Sequence, residues 1–210
     1  MKRFSTIVTI LFATGCSTSD SSPDSASFGS PLFDGFEPAG GSAVILAPAP
    51  CDSMFFGPVA LGGIMLDLTD YADSCAVLTQ IEMCGTKANS TRVLAMVLNG
   101  DTGATSIGPA GPGTYTYTAD PPTGAFTAAS AMAIQVDGSC HYLPNSYLAM
   151  DAGTITITGV TDSQVTGSMS LRFENGQVFE HSFDLPVCPL AIDLCPHLNG
   201  TGCATYHCAP

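Results

Sequence analysis

From residue 152 to residue 188 apolar and polar positions alternate with a period of two. Ile155 and Ile157 alternate with Thr154, Thr156 and Thr158. Val165, Gly167, Met169, Leu171 and Phe173 alternate with polar residues, and after Asn175-Gly176 the alternation resumes at Phe179, His181, Phe183 and Leu185. Successive side chains of a strand point to opposite faces, so this pattern predicts half-buried strands, with a hairpin over residues 164–185. Asn-Gly by itself suggests a two-residue turn. That turn would set Leu171 opposite Glu180 and an apolar face against a polar one. A three-residue loop, Glu174-Asn175-Gly176 with Gly176 left-handed, instead pairs Leu171 with Phe179 and Gly167 with Phe183. The faces then agree, and this loop is the prediction. His181 falls on the inner face, across from Met169.

Shorter runs upstream read the same way. Strands are predicted at 43–47, at 63–69 (Ile64, Leu66 and Leu68 on one face), at 92–98 (apolar on both faces, as in a central strand), and at 113–118, 131–136 and 154–158. Gly and Pro clusters at 108–113 and 120–124 punctuate them. One helix is predicted over 71–83. Asp70 stands at its N-cap, Asp73 adds negative charge to its first turn and Gly85 lies just beyond its end. Tyr71, Cys75, Leu78 and Met83 would form its buried stripe. The fold class is mainly β: an antiparallel β-sandwich or open barrel with one short helix.

The ends of the chain lack this periodicity. Lys2 and Arg3 precede a short apolar run over 7–13, too short to span a bilayer, and Ala13-Thr14-Gly15-Cys16 follows. This series resembles the bacterial lipobox, which implies cleavage after residue 15 and acylation of Cys16. An ordinary secretory signal is the alternative. Residue 17 is Ser rather than Asp, which in the enteric sorting rule points to the outer membrane rather than the inner. Residues 16–42 are rich in Ser, Asp, Gly and Pro and cannot bury enough surface to offset their ordering. They are predicted to be a flexible tether with a reach of roughly 25–30 Å, carrying an apolar island at Phe33 and Phe36 that can dock on the body. Residues 43–187 form the body and 188–210 a cysteine-rich tail.

Composition sharpens the compartment. Of 210 residues only 11% are charged, with 18 acidic against 5 basic side chains, and mean hydropathy is +0.30. Cleavage before Cys16 leaves three cations, Lys87, Arg92 and Arg172, against all 18 acids. Nucleic acid, which needs clustered Lys and Arg, is excluded as a partner. Nine cysteines are an odd number. Setting Cys16 aside leaves Cys51, Cys75, Cys84, Cys140, Cys188, Cys195, Cys203 and Cys208, which an exported chain would pair in an oxidising space. Four disulfides are expected, with the tail pairing largely within itself.

Residues 152–188 also carry a family resemblance. Gly153-Thr154, Gly167-Ser168 and the ending Ser182-Phe183-Asp184-Leu185-Pro186-Val187-Cys188, with Gly113-Thr114-Tyr115 after Pro112, resemble uncharacterised, secreted, cysteine-containing lipoproteins of myxobacteria-like genomes. The resemblance implies a β-sandwich-type body and no activity.

Candidate chemistry is sparse. Cys203 and His207 are spaced as zinc ligands can be, and His197 is nearby, but the tail has no Cys-x-x-Cys, so disulfides are preferred. Asp67, Asp70 and Asp73 suit a helix start better than a calcium loop. His141 and His181 have no catalytic partner at a recognisable spacing, and no hydrolase, zinc-protease or nucleotide motif occurs. The scattered methionines read as core filling. With no Trp, sugar stacking would fall to Tyr115 and Tyr117 on one strand face. No catalytic residue, metal or cofactor is assigned. The sequence predicts a non-catalytic envelope lipoprotein, structural or adhesive. It would hold the membrane through its N-terminal lipid and meet an envelope protein or glycan. An exported hydrolase with a site assembled from distant residues is the alternative.

Overall fold

A computed structural model describes residues 36–53, 57–81, 85–119, 123–198 and 207–209. The predicted signal sequence, Cys16 and most of the tether lie outside them. The strands are β1 (Gly40–Ser53), β2 (Gly57–Thr69), β3 (Gly85–Lys87), β4 (Thr91–Thr102), β5 (Gly113–Thr116), β6 (Ala125–Val136), β7 (Tyr142–Val160), β8 (Gln164–Phe173), β9 (Val178–Pro186) and β10 (His207–Ala209). The helices are α1 (Ser74–Ile81) and α2 (Leu194–Leu198). The main sheet has the order β1-β2-β4-β6-β7-β8-β9, all antiparallel, with β5 also paired to β7. It curls into a half-barrel. The fold class is therefore as the alternation predicts, with a second helix added.

Strand β7 turns the corner. Its first part pairs β6 (Met132↔Ala149), and from Met150 onward it pairs β8. A register shift between Met150 and Ala152 lies at the changeover, where a bulge bends a strand from one sheet into the next. The result is two walls, β1-β2-β4-β6 and β5-β7-β8-β9, facing one core. The first wall contributes Ile64, Leu66, Leu68, Val93, Ala95, Val97, Ala129, Ala131 and Ala133; the second contributes Ile155, Ile157, Met169, Leu171, Phe173, Phe179 and Phe183. The alanines of β6 leave room for the large rings of the hairpin. Tyr115 lies in this core and its hydroxyl donates to the Gly111 carbonyl at 2.8 Å, pinning the loop before β5 in the manner of a tyrosine corner.

The hairpin has the predicted register. Leu171 pairs with Phe179, Met169 with His181 and Gly167 with Phe183. Phe173 N–H donates to the Gln177 carbonyl at 2.9 Å, and Gly176 has φ 83°. With no side chain, glycine adopts this left-handed conformation without steric cost.

The first wall is buried on its outer face as well. Val44, Leu46, Val59, Leu61, Met65, Leu94, Met96, Met132 and Ile134 form a second apolar cluster with Leu78 of α1 and Leu194 of the tail, and Leu190 and Ile192 pack against it. Here the tail differs from expectation. Cys195 is bonded to Cys51 and Cys188 to Cys75, so these tail cysteines cross to the body rather than pairing with each other. The reason is the period-two alternation of Leu190, Ile192 and Leu194, which lays residues 188–195 along the sheet. Cys140 is also disulfide-bonded; the side chains of Cys84, Cys203 and Cys208 lie outside the described residues. Such cross-links belong to an oxidising, exported environment.

The helix prediction needs correction at its start. Helix α1 begins at Ser74, not at residue 71, and its first turn holds no acid. Asp70 is not its cap: the Asp70 carboxylate accepts the Thr91 N–H at 2.7 Å, and partial burial raises its pKa above the ordinary carboxylate value. Asp73 precedes the helix with φ 66°, and its carbonyl accepts from Ala76 and Val77. Leu78 is buried as predicted, with Cys75 packed against the same cluster, but Tyr71 lies before the helix and packs with Val77 in a separate cluster rather than on one stripe with Leu78; Met83 lies outside the described residues.

Candidate functional site: the seam between the first and last strands

Among the described residues the half-barrel does not close: beyond β9 one parallel bridge, Ala43↔Val187, joins it to β1. Two hydrogen bonds fix which way β9 faces. Val187 N–H donates to Ser163 O on the β8 side, and Cys188 N–H donates to Ala43 O on the β1 side. Backbone groups alternate sides along an antiparallel strand. The N–H and C=O of Glu180, Ser182 and Asp184 therefore point into the seam, where no strand among the described residues pairs with them.

A cleft of about 290 Å³ occupies this seam, lined by Pro38, Ala39, Gly40 and Gly41 on one side and His181 to Pro186 on the other, with Leu68 also lining it. Glycine at position 41 permits the close approach of β1 to β9 here: a Cβ there would lie 2.6 Å from the Asp67 carbonyl and 2.7 Å from a Leu185 methyl. Beside the cleft the Phe179 ring stacks on the lining residue His181 at 5.8 Å, and the Phe36 ring lies 5.8 Å from Phe179. Small-molecule pockets usually enclose about 300–1,000 Å³. This volume, open along a strand edge, suits a segment of extended chain better. One acid, Asp184, lines it, and Glu37 and Glu180 are exposed next to lining residues in sequence, Glu180 accepting the Ser170 hydroxyl. Of the described cations, Arg92 is buried against Asp67 and Arg172 is paired with Asp151.

The other titratable groups are dispersed. Asp67 lies beneath α1, 1% exposed, with its carboxylate accepting Arg92 Nε at 2.8 Å and the Ser74 hydroxyl at 2.6 Å. Ser74 in turn bonds Ser42 at 2.9 Å, and Arg92 Nη1 donates to Gly85 O at 2.8 Å. This network ties the helix to β1, β2 and β4. Asp67, Asp70 and Asp73 thus have separate partners and do not converge. His141 lies at an exposed turn, its Nδ1 3.8 Å from Asp137. The N–H groups of His141 and Ser139 bond the Asp137 carboxylate and hold its pKa below the usual value. Tyr115 is buried and Tyr117 half-buried against the core, so neither presents a ring face for a sugar. The side chains of His197 and His207 lie outside the described residues. Among the described residues no group of three or more His, Cys, Asp or Glu is placed to hold a metal, and no helix is long and apolar enough to cross a membrane.

Sequence reasoning placed His181 on the inner face but missed the seam, because the seam depends on how the first and last strands meet. One local signal was available. Pro186 lacks an N–H, and proline within a strand pattern marks an edge.

No family model, curated protein or solved structure matches the chain.

Proposed function

We propose that the protein is a non-catalytic lipoprotein of the cell envelope, anchored through acyl chains on Cys16 and presenting its β-domain as a binding or structural module. The observation that carries the reading is the pair of disulfides between tail and body, Cys51–Cys195 and Cys75–Cys188. They fit an oxidising, exported environment. Lys2-Arg3, the apolar run and Ala13-Thr14-Gly15-Cys16 supply the route there. By the enteric sorting rule, Ser17 in place of Asp favours the outer membrane for the anchor. The module reading draws on the outer surface of the second wall. Thr114, Thr116, Thr158, Ser168, Ser170 and Ser182 are exposed there, a hydroxyl face on a rigid sheet, and the open seam adjoins it. Metabolic labelling with a palmitate analogue tests the anchor. The wild type takes up label and Cys16→Ala does not; equal labelling of both overturns the lipidation.

A further inference from the structure

Resting on the binding-module reading, we infer that the seam is a strand-addition site, and that its occupant is an extended peptide segment carrying Lys or Arg, added along β9 beside Glu180, Ser182 and Asp184. An unpaired strand edge displays a row of donors and acceptors, and an extended peptide satisfies them with main-chain hydrogen bonds while side-chain contacts set specificity. The seam has both elements. The hydrogen bonds at Val187 and Cys188 fix the direction of the Glu180, Ser182 and Asp184 backbone groups into a cleft of about 290 Å³. His181 lines the cleft and, with the half-buried Phe36, flanks the buried Phe179 ring, leaving an aromatic border where an apolar side chain of the peptide can rest.

Charge selects the partner. Asp184 lines the cleft; Glu180 is exposed on the same strand, its carboxylate accepting the Ser170 hydroxyl at 3.2 Å, and Glu37 is exposed next to Pro38 on the opposite lining. A second copy of the chain laid antiparallel on β9 about Ser182 would set Glu180 against Asp184, acid against acid, which disfavours pairing. The chain upstream of Phe36 brings Asp20, Asp24 and Asp34 and no cation before Arg3, so it is a poor complement too. A cationic strand pairs its charges with these acids instead. Pro186 ends the run of edge donors, so the added segment is short.

The experiment uses the mature chain with its disulfides intact and two blocked, labelled peptides: one alternating Lys and Val, the other alternating Glu and Val. Fluorescence anisotropy should show saturable binding of the Lys peptide, weakened by salt, and none of the Glu peptide. Amide hydrogen exchange at Glu180, Ser182 and Asp184 should slow on binding. Ser182→Pro removes a donor facing the seam and leaves the β8 ladder intact; it should weaken binding about tenfold. Glu180→Lys with Asp184→Lys, a variant without a backbone change, should reverse the preference between the peptides. Equal binding of both peptides, or no binding, overturns the inference. So does protection of those three amides in the free protein, whether independent of concentration (the chain's own upstream segment) or rising with it (a second copy). Mass spectrometry of the recovered peptide separates the two readings: a cleaved peptide defeats the non-catalytic module while leaving the seam as the place of binding.

Discussion

In the first wall β2 is buried at every position from Val59 to Thr69, whereas in the second wall β8 alternates strictly from Ser168 to Phe173. Both walls line one core, yet they manage their outer faces in opposite ways. The second wall turns hydroxyls to water, and adjacent strands join them in cross-strand pairs such as Thr114 with Thr156 at 3.2 Å and Thr158 with Thr166 at 3.1 Å. The first wall has an apolar outer face that needs a cover. Helix α1 and residues 188–195 supply it, held by two disulfides and by the ion pair beneath the helix. A strand that satisfies its outer face with Thr and Ser is complete when it pairs. A strand with Leu and Met outside is incomplete until a distant part of the chain arrives.

The largest expected effect tests that cover at its charged point. Arg92→Met keeps volume but leaves Asp67 buried with only the Ser74 hydroxyl. Breaking one side of a buried pair typically costs about 3–5 kcal/mol, read as a shift of the urea midpoint at unchanged slope. Adding Asp67→Leu should recover most of that loss, because two well-packed apolar side chains need no partner. A single variant within about 1 kcal/mol of the wild type would mean that the pair is incidental to the first wall.

The disulfides come next. Cys51→Ala with Cys195→Ala opens a cross-link spanning 144 residues, and removing a native disulfide usually costs about 2–4 kcal/mol. The loss should be local as well as global. With residues 190–195 released, Val44, Leu46 and Leu61 meet water, and a dye that binds apolar surface should brighten. Amide exchange in the β8–β9 hairpin should stay slow, since that wall has no share in the bond. A hairpin that loosens together with the cover would show that the walls do not differ in this respect.

This contrast explains which parts were legible. The hairpin was readable down to its loop length because alternation and the faces of Leu171 and Phe179 are local facts. Strand β4 was recognised as central, since both its faces are apolar. What covers it was not, because the cover comes from residues near 190 and helix residues near 78. The helix start was misplaced because Asp70 resembles a cap in sequence, while its carboxylate serves Thr91 on β4. The seam was invisible for the same reason: it arises where Ala43 meets Val187. Local periodicity finds strands and turns; the contacts that close a β-structure lie far apart along the chain.

The smallest expected effect sharpens the comparison from the open side. Ser168 is exposed on the outer face of β8, while Phe179, from the same hairpin, is 7% exposed and faces the core. Ser168→Ala removes a hydroxyl already hydrated by solvent, and surface changes of this kind stay within about 0.5 kcal/mol. Phe179→Ala opens a cavity between the walls beside Phe36 and should cost about 3–5 kcal/mol. The two melts must be made with every disulfide intact, because a cross-link raises stability without regard to which face a side chain occupies. If Ser168→Ala costs as much as Phe179→Ala, the hydroxyl face is covered by something in the folded protein. The second wall would then resemble the first, and its openness, on which the seam's access to a partner depends, would be lost.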